Sequence, residues 1–367
     1  PSAFKHWINS EVVQAYADGL KKISADFDAK SFLKIQKKLP SLELRQRVRL
    51  IAHAFKEHLD PDYKKAISTL LKALDVKKTE GFALWPATEF IQIYGTDDFD
   101  SSFSAMRELT KKFTAEFAVR PFIIKNQTRA LKELKNAAKS KNKHLRRWAS
   151  EGSRPRLPWG ERLQEIVKNP LPTIEILELL KFDPELYVRK SVANHLNDIA
   201  KDHPTLVIQT LAKWKKQVPS HYTKEFRFIL SRALRTLIKN GHPGALELIG
   251  IIHGHTKLEA QNLRIKNKTV KTGGKIEFSF ELINRSNQSI NYVVDYVIHH
   301  KKANGTLSPK VFKLKSGAIS SKKSLQIKKN HSFKPITTRV YYPGDHQIEI
   351  LVNGKKQLIQ KFKLLVS

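Results

Sequence analysis

The strongest constraint on this chain's fold is a recurring pattern: an apolar-striped helix ending at a lysine, a turn with a proline, then a second helix. It is clearest around DPELYVRKSVANHLNDIAKDH, residues 183–203. There Val188, Val192, Leu196 and Ile199 recur every three or four positions, which puts one continuous apolar stripe on a helix face. Asp183 and Pro184 read as an N-cap and a first helical residue whose missing N–H costs nothing. Arg189, Lys190, Asn194 and Asp198 sit beside the stripe. A one-sided helix must be covered by neighbours, and the flanking sequence supplies lookalikes. LQEIVKNPLPTIEIL (163–177), LNDIAKDHPTLVIQTL (196–211) and LRTLIKNGHPGALELI (234–249) end their first helices at Lys168, Lys201 and Lys239 and turn at Pro170, Pro204 and Pro243. A weaker copy, IAHAFKEHLDPDYKKAISTLL (51–71), breaks at Pro61. Stacked helix pairs bury such stripes against one another, so residues 1–255 are expected to form an α-helical solenoid.

After Gly254 the pattern changes. KIEFSFELIN, INYVVDYVIHH, SLQIKKNHSF, HQIEILVNG and KQLIQKFKLLV alternate apolar and polar residues. Turn signals separate them at Thr272-Gly273-Gly274, Asn304-Gly305, Pro343-Gly344-Asp345 and Asn353-Gly354-Lys355. About seven strands in about 110 residues predict an immunoglobulin-like β-sandwich over residues 257–367. The fold class is therefore a multidomain chain, an all-α HEAT-like repeat solenoid followed by an all-β sandwich. His253 and His255 mark the junction rather than a metal site.

Charge narrows the partner. The chain carries 67 Lys+Arg against 34 Asp+Glu, a net +33, far beyond what solubility needs, so a polyanion is expected and nucleic acid first. Residues 257–367 hold about half of that excess on less than a third of the chain, which argues against a passive spacer. With no cysteine, disulfides and thiolate chemistry are excluded, consistent with a cytoplasmic protein. There is no apolar run long enough to span a membrane and no signal-peptide core, and Pro1 in place of Met reads as a processed or trimmed start. P-loop, GxGxxG and HExxH motifs are absent, so no cofactor or metal is called for, and any catalysis falls to carboxylates.

Within the solenoid the first 40 residues, with Lys21-Lys22 and Lys37-Lys38, read as a capping region. Trp85-Pro86 interrupts a helix, and the Gly95–Ser102 stretch marks a turn and an N-cap. MRELTKKFTAEFAVRPFI, residues 106–123, is predicted as one helix, apolar at Leu109, Phe113, Phe117 and Ile123. Glu116 lies beside the two phenylalanines, and its simplest role is an i,i+4 ion pair with Arg120. A helix carrying Leu145, Arg146, Arg147, Trp148 and Glu151 ends at Gly152, and the loop SRPRLPWG then holds Arg154, Arg156 and Trp159. Basic residues interleaved with aromatics suit phosphate contacts and stacking, while the structural alternative makes the tryptophans core and the arginines a solvated rim.

TAEFAVRPF, LRRWASEGSRPRLPW and DPELYVRKSVANHLNDIAKDHP resemble the AlkC branch of the HEAT-like repeat alkylpurine DNA glycosylases, the AlkC/AlkD superfamily. The resemblance covers residues 1–255, and an immunoglobulin-like C-terminal domain occurs in some members. It implies excision of small N-alkylated bases such as 3-methyladenine, and also 3-methylcytosine or 1-methyladenine, from double-stranded DNA. It further implies work at the duplex surface rather than extrusion into a deep pocket. The catalytic candidates are then Glu116, Glu151 and Asp198, with Trp148 or Trp159 facing the cationic base. Arg147, Arg154, Arg156, Arg189, Lys168, Lys201 and Lys239 would hold phosphates, and Lys266, Lys268, Lys271 and Lys275 of the sandwich would reach the opposite groove. A monomer is expected. A non-catalytic repeat scaffold for RNA or an acidic protein explains charge and repeats equally well but leaves WASEGSRPRLPW without a purpose.

Overall fold

The structure is a computed structural model that describes residues 4–252, 257–337 and 339–365; His253 and His255 lie outside the described residues. Sixteen α-helices are followed by eight strands among the described residues, and none of these helices is long and apolar enough to cross a membrane. Two compact units result. The first comprises residues 1–202 with 220–225, the second residues 203–219 with 226–367. The second thus joins the last helices to the sandwich, although helix gives way to strand only between Leu248 and Leu258.

In the first unit, helices pair as the repeats require. Helix Ser10–Ile23 packs on Tyr63–Val76 so closely that a Cβ on Gly19 would meet the Ala73 carbonyl oxygen at 2.7 Å. Helix Leu44–His58 packs on Trp85–Tyr94, and Lys143–Gly152 on Leu186–Ile199. Asn9, Asp62, Asp98, Asn126 and Asn142 cap helices by accepting N-terminal amides, as short polar side chains do. Val188, Val192, Leu196 and Ile199 are all buried, so the stripe packs as its spacing requires.

Three local expectations are corrected. Residues 106–123 are not one helix: helix Phe99–Thr110 stops, residues 111–119 form turns, and a new helix runs Arg120–Lys125. A continuous helix would place Pro121 in its interior, where the ring clashes with the preceding turn. Trp85-Pro86 starts a helix rather than interrupting one, with proline in the first turn where no amide partner is lost. Helix Leu186–Ile199 begins after Glu185, not at Asp183. Asp183 is instead gripped by Arg146 at 2.5 and 3.2 Å and accepts the Glu185 amide at 2.9 Å, closing the turn before the helix.

In the second unit the strands are β1 (Leu258–Ile265), β2 (Thr269–Lys271), β3 (Lys275–Asn284), β4 (Ile290–Lys301), β5 (Leu307–Ile319), β6 (Ser324–Ser332), β7 (Gly344–Val352) and β8 (Lys355–Leu365). They form two sheets, ordered β1-β3-β6 and β2-β8-β7-β4-β5. β3 alternates buried and outward residues, whereas β4 is buried on both faces. One face of β4 lines the sandwich core with Tyr292, Val294, Tyr296 and Ile298; on the other, Val293 packs with Leu246 and Ile251. Asn291 donates to the Gly250 carbonyl at 3.1 Å, and the Asn353-Gly354 turn abuts Gly241.

A buried histidine cluster supports the sandwich. Arg339 donates to His300 Nε2 at 2.7 Å, Tyr296 meets His331 Nδ1 at 3.0 Å, and His346 Nε2 donates to the Tyr342 carbonyl at 3.0 Å. Burial pushes His300 down to about 3 and His331 to about 4 from 6.5, and lowers His346 as well. Their stabilising contribution is therefore complete above the ordinary histidine value and is lost as pH falls below it, because only the unfolded chain takes up the protons. Asp295, pushed up to about 6 by burial, works in the opposite sense, but it is one group against three. The melting temperature of the chain is expected to fall between about pH 7 and about pH 5; a rise over that interval would contradict the neutral cluster.

Candidate active site

Four segments of the first unit converge on one chain of charges. Helix Lys143–Gly152 carries Arg147 and Glu151 one turn apart; helix Leu186–Ile199 beside it supplies Ser191, His195 and Asp198; and the turn at 111–119 supplies Thr114 and Glu116. Arg154, in the loop after Gly152, reaches Glu151 Oε1 at 2.7 Å and Asp198 Oδ2 at 2.8 Å. Arg147 pairs directly with Glu116, approaches Glu151 at 3.5 Å and donates to Thr114 Oγ1 at 2.9 Å. Lys201 closes the far end on Asp198 at 3.2 Å. Burial opposes the charge of both arginines, but the adjoining carboxylates outweigh it and hold each guanidinium above its usual value.

Glu151 is fixed on its other oxygen too. Ser191 Oγ donates to Glu151 Oε2 at 2.6 Å and lies 2.9 Å from Ser150 Oγ. His195 Nδ1 donates to the Ser150 carbonyl at 2.9 Å, and burial, with Arg154 nearby, pushes this histidine down to about 3, so it is neutral.

Beside the charges lies a cleft of about 420 Å³ with Glu116, Glu151, Thr114 and Arg154 on one side and Phe82, Trp85, Phe113, Phe117 and Trp159 around them. Trp85 stacks on Phe117 with centroids 5.8 Å apart. Trp159 is 67% exposed and has φ +64°, a left-handed conformation that strains a bulky residue by about 1–3 kcal/mol. The surrounding loop is held by fully buried Arg120, whose Nη1 donates to the Gly152 and Arg154 carbonyls at 3.1 and 2.9 Å. Arg45 donates to the Trp159 carbonyl at 3.0 Å. Gly160 packs tightly here: a Cβ would meet the Arg120 and Leu157 side chains at 3.2 Å. Two carboxylates against aromatic walls suit a planar, cationic group.

A domain described as a DNA alkylation repair enzyme matches residues 98–237, and the C-terminal immunoglobulin-like domain of YhaZ matches residues 259–366. The uncharacterized protein YhaZ of Bacillus subtilis (strain 168) is 33% identical over 353 residues, 96% of each chain. The alkylpurine DNA glycosylase AlkC of Pseudomonas fluorescens, solved bound to DNA containing an abasic site analog, superposes with a TM-score of 0.91 at 35% identity over 99% of both chains. This chain belongs to the AlkC family.

Within that AlkC framework the candidate residues separate. Glu116, Glu151, Arg154 and Trp159 line the cleft; Asp198 stands behind it, joined through Arg154. The ion pair expected between Glu116 and Arg120 does not form, because the helix that would align them is broken, and Arg147 takes Glu116 instead. Trp148 does not line the cleft: it is fully buried, with its ring packed near Phe103. Arg154 is buried between two carboxylates, which take the donors that a phosphate contact would need. Arg147 is committed to Glu116 and lies 5.2 Å from the Tyr187 ring. Arg156 forks onto Asp202 at 2.7 and 2.8 Å, and Arg189 donates to the Asp183 and Pro184 carbonyls at 3.2 and 2.6 Å.

None of the expected lysines is among the residues that line the cleft. Lys168 pairs with Glu165 at 2.8 Å, and the charge of Lys239 reaches Asp295. Lys266 and Lys275 flank Glu277 at 3.7 and 3.4 Å, while Lys268 and Lys271 are exposed. Sequence reasoning missed Phe82, Trp85, Thr114 and Ser191. It also read Phe113 and Phe117 as apolar positions of one continuous helix, since a helical stripe gives no sign that the helix breaks beneath it.

Two substitutions test this arrangement. Arg154→Ala leaves Glu151 and Asp198 buried without their shared cation and should destabilise the first unit by about 3–5 kcal/mol in urea unfolding, where loss of a surface phosphate contact would cost almost nothing. Ser191→Ala should leave the fold within about 1–2 kcal/mol of wild type while loosening Glu151.

Proposed function

We propose that the chain is a monofunctional DNA-repair glycosylase that hydrolyses the N-glycosidic bond of cationic N-alkylated bases in duplex DNA, 3-methyladenine first, with 3-methylcytosine and 1-methyladenine in the same class. The observation that carries this reading is the placement of Glu116 and Glu151 in one aromatic-walled cleft with Trp159. A base alkylated at N3 already bears positive charge and leaves as a neutral molecule, so little acid assistance is needed. What remains is an oxocarbenium-like sugar. A carboxylate stabilises that charge and positions or deprotonates the attacking water. Glu151 and Glu116 are the residues for these tasks, with Asp198 orienting Glu151 through Arg154. Trp159 offers its ring face to the cationic base, since a ring quadrupole attracts cations.

Further support comes from the AlkC relative, which was solved on DNA with an abasic site analog. The cleft is walled largely by aromatic rings, and action at the duplex surface, without full extrusion of the base, is the mode proposed for it. The sandwich serves as the second DNA-binding domain, with exposed Lys268 and Lys271, beside Lys266 and Lys275, as its contacts. The chain works as a monomer in the cytoplasm.

The decisive experiment is release of free 3-methyladenine from methylated duplex DNA. Wild type should release it, while Glu151→Gln and Glu116→Gln should each lower the rate by roughly 100-fold or more when assayed below their own melting temperatures, which fall because buried Arg147 and Arg154 lose a carboxylate. Tight DNA binding without base release by wild type would instead favour a scaffold. For the sandwich, Lys268→Glu with Lys271→Glu should weaken duplex binding and reduce the slope of log affinity against log salt by about two. An unchanged slope removes these lysines from the interface.

A further inference from the structure

The turn Phe4–Trp7 holds two large apolar side chains in solvent, Phe4 at 58% and Trp7 at 44% exposure. An exposed single turn without tertiary ties is weakly held, yet this one is pinned. Arg47, itself only 5% exposed, donates through Nη1 to the Lys5 and Ile8 carbonyls at 3.0 Å and through Nε to the Leu42 carbonyl at 2.8 Å. Lys5 adds an ion pair to Glu43 at 2.8 Å. A buried guanidinium that ties the Lys5 and Ile8 carbonyls to the Leu42 carbonyl fixes the attitude of the two rings that the turn displays.

Those rings lead to the cleft. Phe4 and Trp7 meet edge to face at 5.0 Å, and Trp7 meets Phe82 edge to face at 4.6 Å. Phe4 lies nearly parallel to Phe82, 12° off, with centroids 6.4 Å apart. Phe82 is a wall of the cleft that holds Glu116 and Glu151, and it touches Trp85 and Phe113 there at 6.0 and 5.7 Å. The aromatic surface is therefore continuous from the cleft out to Phe4 and Trp7.

We propose that Phe4, Trp7 and Phe82 form a stacking shelf for an unpaired nucleobase of the DNA engaged at the cleft. The inference rests on the glycosylase reading above. Every nucleobase has a π-face, so a rigid aromatic shelf takes any of them without base-edge readout, and rigidity removes the ordering cost that weakens a mobile surface ring. The chain's net charge of +33 favours a polyanion over an apolar protein segment as the owner of the stacked group. A site that works on an exposed base needs somewhere to hold a neighbour or opposite base that has lost its partner, and this shelf adjoins the carboxylates.

The test compares full-length wild type, Trp7→Ala and Trp7→Phe in equilibrium binding to two duplexes of equal length, one fully paired and one with a single unpaired nucleotide. Base release from methylated duplex is measured on the same preparations. Wild type should prefer the duplex with the unpaired nucleotide. Trp7→Ala should lose about tenfold or more on that duplex and stay within about twofold on the paired one, and Trp7→Phe should retain most of the preference. Equal affinities for wild type and Trp7→Ala on both duplexes, or an equal loss on both, overturns the shelf. The glycosylase reading fails separately, by wild type releasing no 3-methyladenine. Phe4→Ala, which removes the other exposed ring without touching the Arg47 contacts, should reproduce the selective loss; if Trp7→Ala melts early, this variant decides, and an unselective result from it also overturns the proposal.

Discussion

The cleft depends on an alternating row of charges, Lys201, Asp198, Arg154, Glu151, Arg147 and Glu116, each touching the next. Charges taken out of water cost several kcal/mol apiece unless paired, so a lone carboxylate at Glu151 or Asp198 would disfavour the fold. In the row, each inner carboxylate has a cation on either side and each arginine bridges two carboxylates. The row crosses four pieces of backbone: helix Leu186–Ile199, the loop after Gly152, helix Lys143–Gly152 and the turn at 111–119. It need not add net stability to fix their positions. Displacing any one piece would strand a buried charge, so the row specifies the cleft's geometry more than it strengthens the fold.

The same logic separates arginine from lysine in this chain. Arg47, Arg120, Arg147 and Arg154 are drawn inward, where a planar fork satisfies several carbonyls or two carboxylates at once. Arg120 alone ties together both ends of the strained loop that presents Trp159. These arginines are already paired within the protein, while exposed positive charge sits on lysines such as Lys268 and Lys271. A strongly basic composition thus divides into an internal scaffold of guanidiniums and an external field of ammonium groups.

Much of the fold was legible because it depends on periodicity. The buried stripe of Val188, Val192, Leu196 and Ile199 and the glycine-marked turns at Gly305 and Gly354 follow from one-dimensional patterns. β5 escaped notice because it is an edge strand rich in lysine and mostly exposed, so it lacks a clean alternation. The site was legible in its carboxylates and opaque in its surroundings. Trp148 and Trp159 are equivalent as letters, yet helix phase buries one, and a left-handed backbone at a non-glycine residue lifts the other into the cleft. Phe113 and Phe117 kept helical spacing across a segment that Pro121 prevents from being a helix. Ser191 carried no signal, because a hydroxyl that donates to a buried glutamate looks like any serine in an amphipathic helix.

The cleft's hydrogen bonding bears on which bases it could release. Glu151 accepts Arg154 on one oxygen and Ser191 on the other, and Glu116 accepts Thr114 and Arg147. Carboxyl groups held this way are placed as hydrogen-bond acceptors, and neutral His195 is spent on the Ser150 carbonyl. On the proposed reading, a neutral adenine would need protonation before leaving, a task for which groups placed as acceptors are not arranged. An N-alkylated cation needs none, and its developing sugar charge meets two accepting carboxylates. Selectivity for labile cationic lesions then follows from how the carboxylates are held rather than from a pocket cut to the shape of one base.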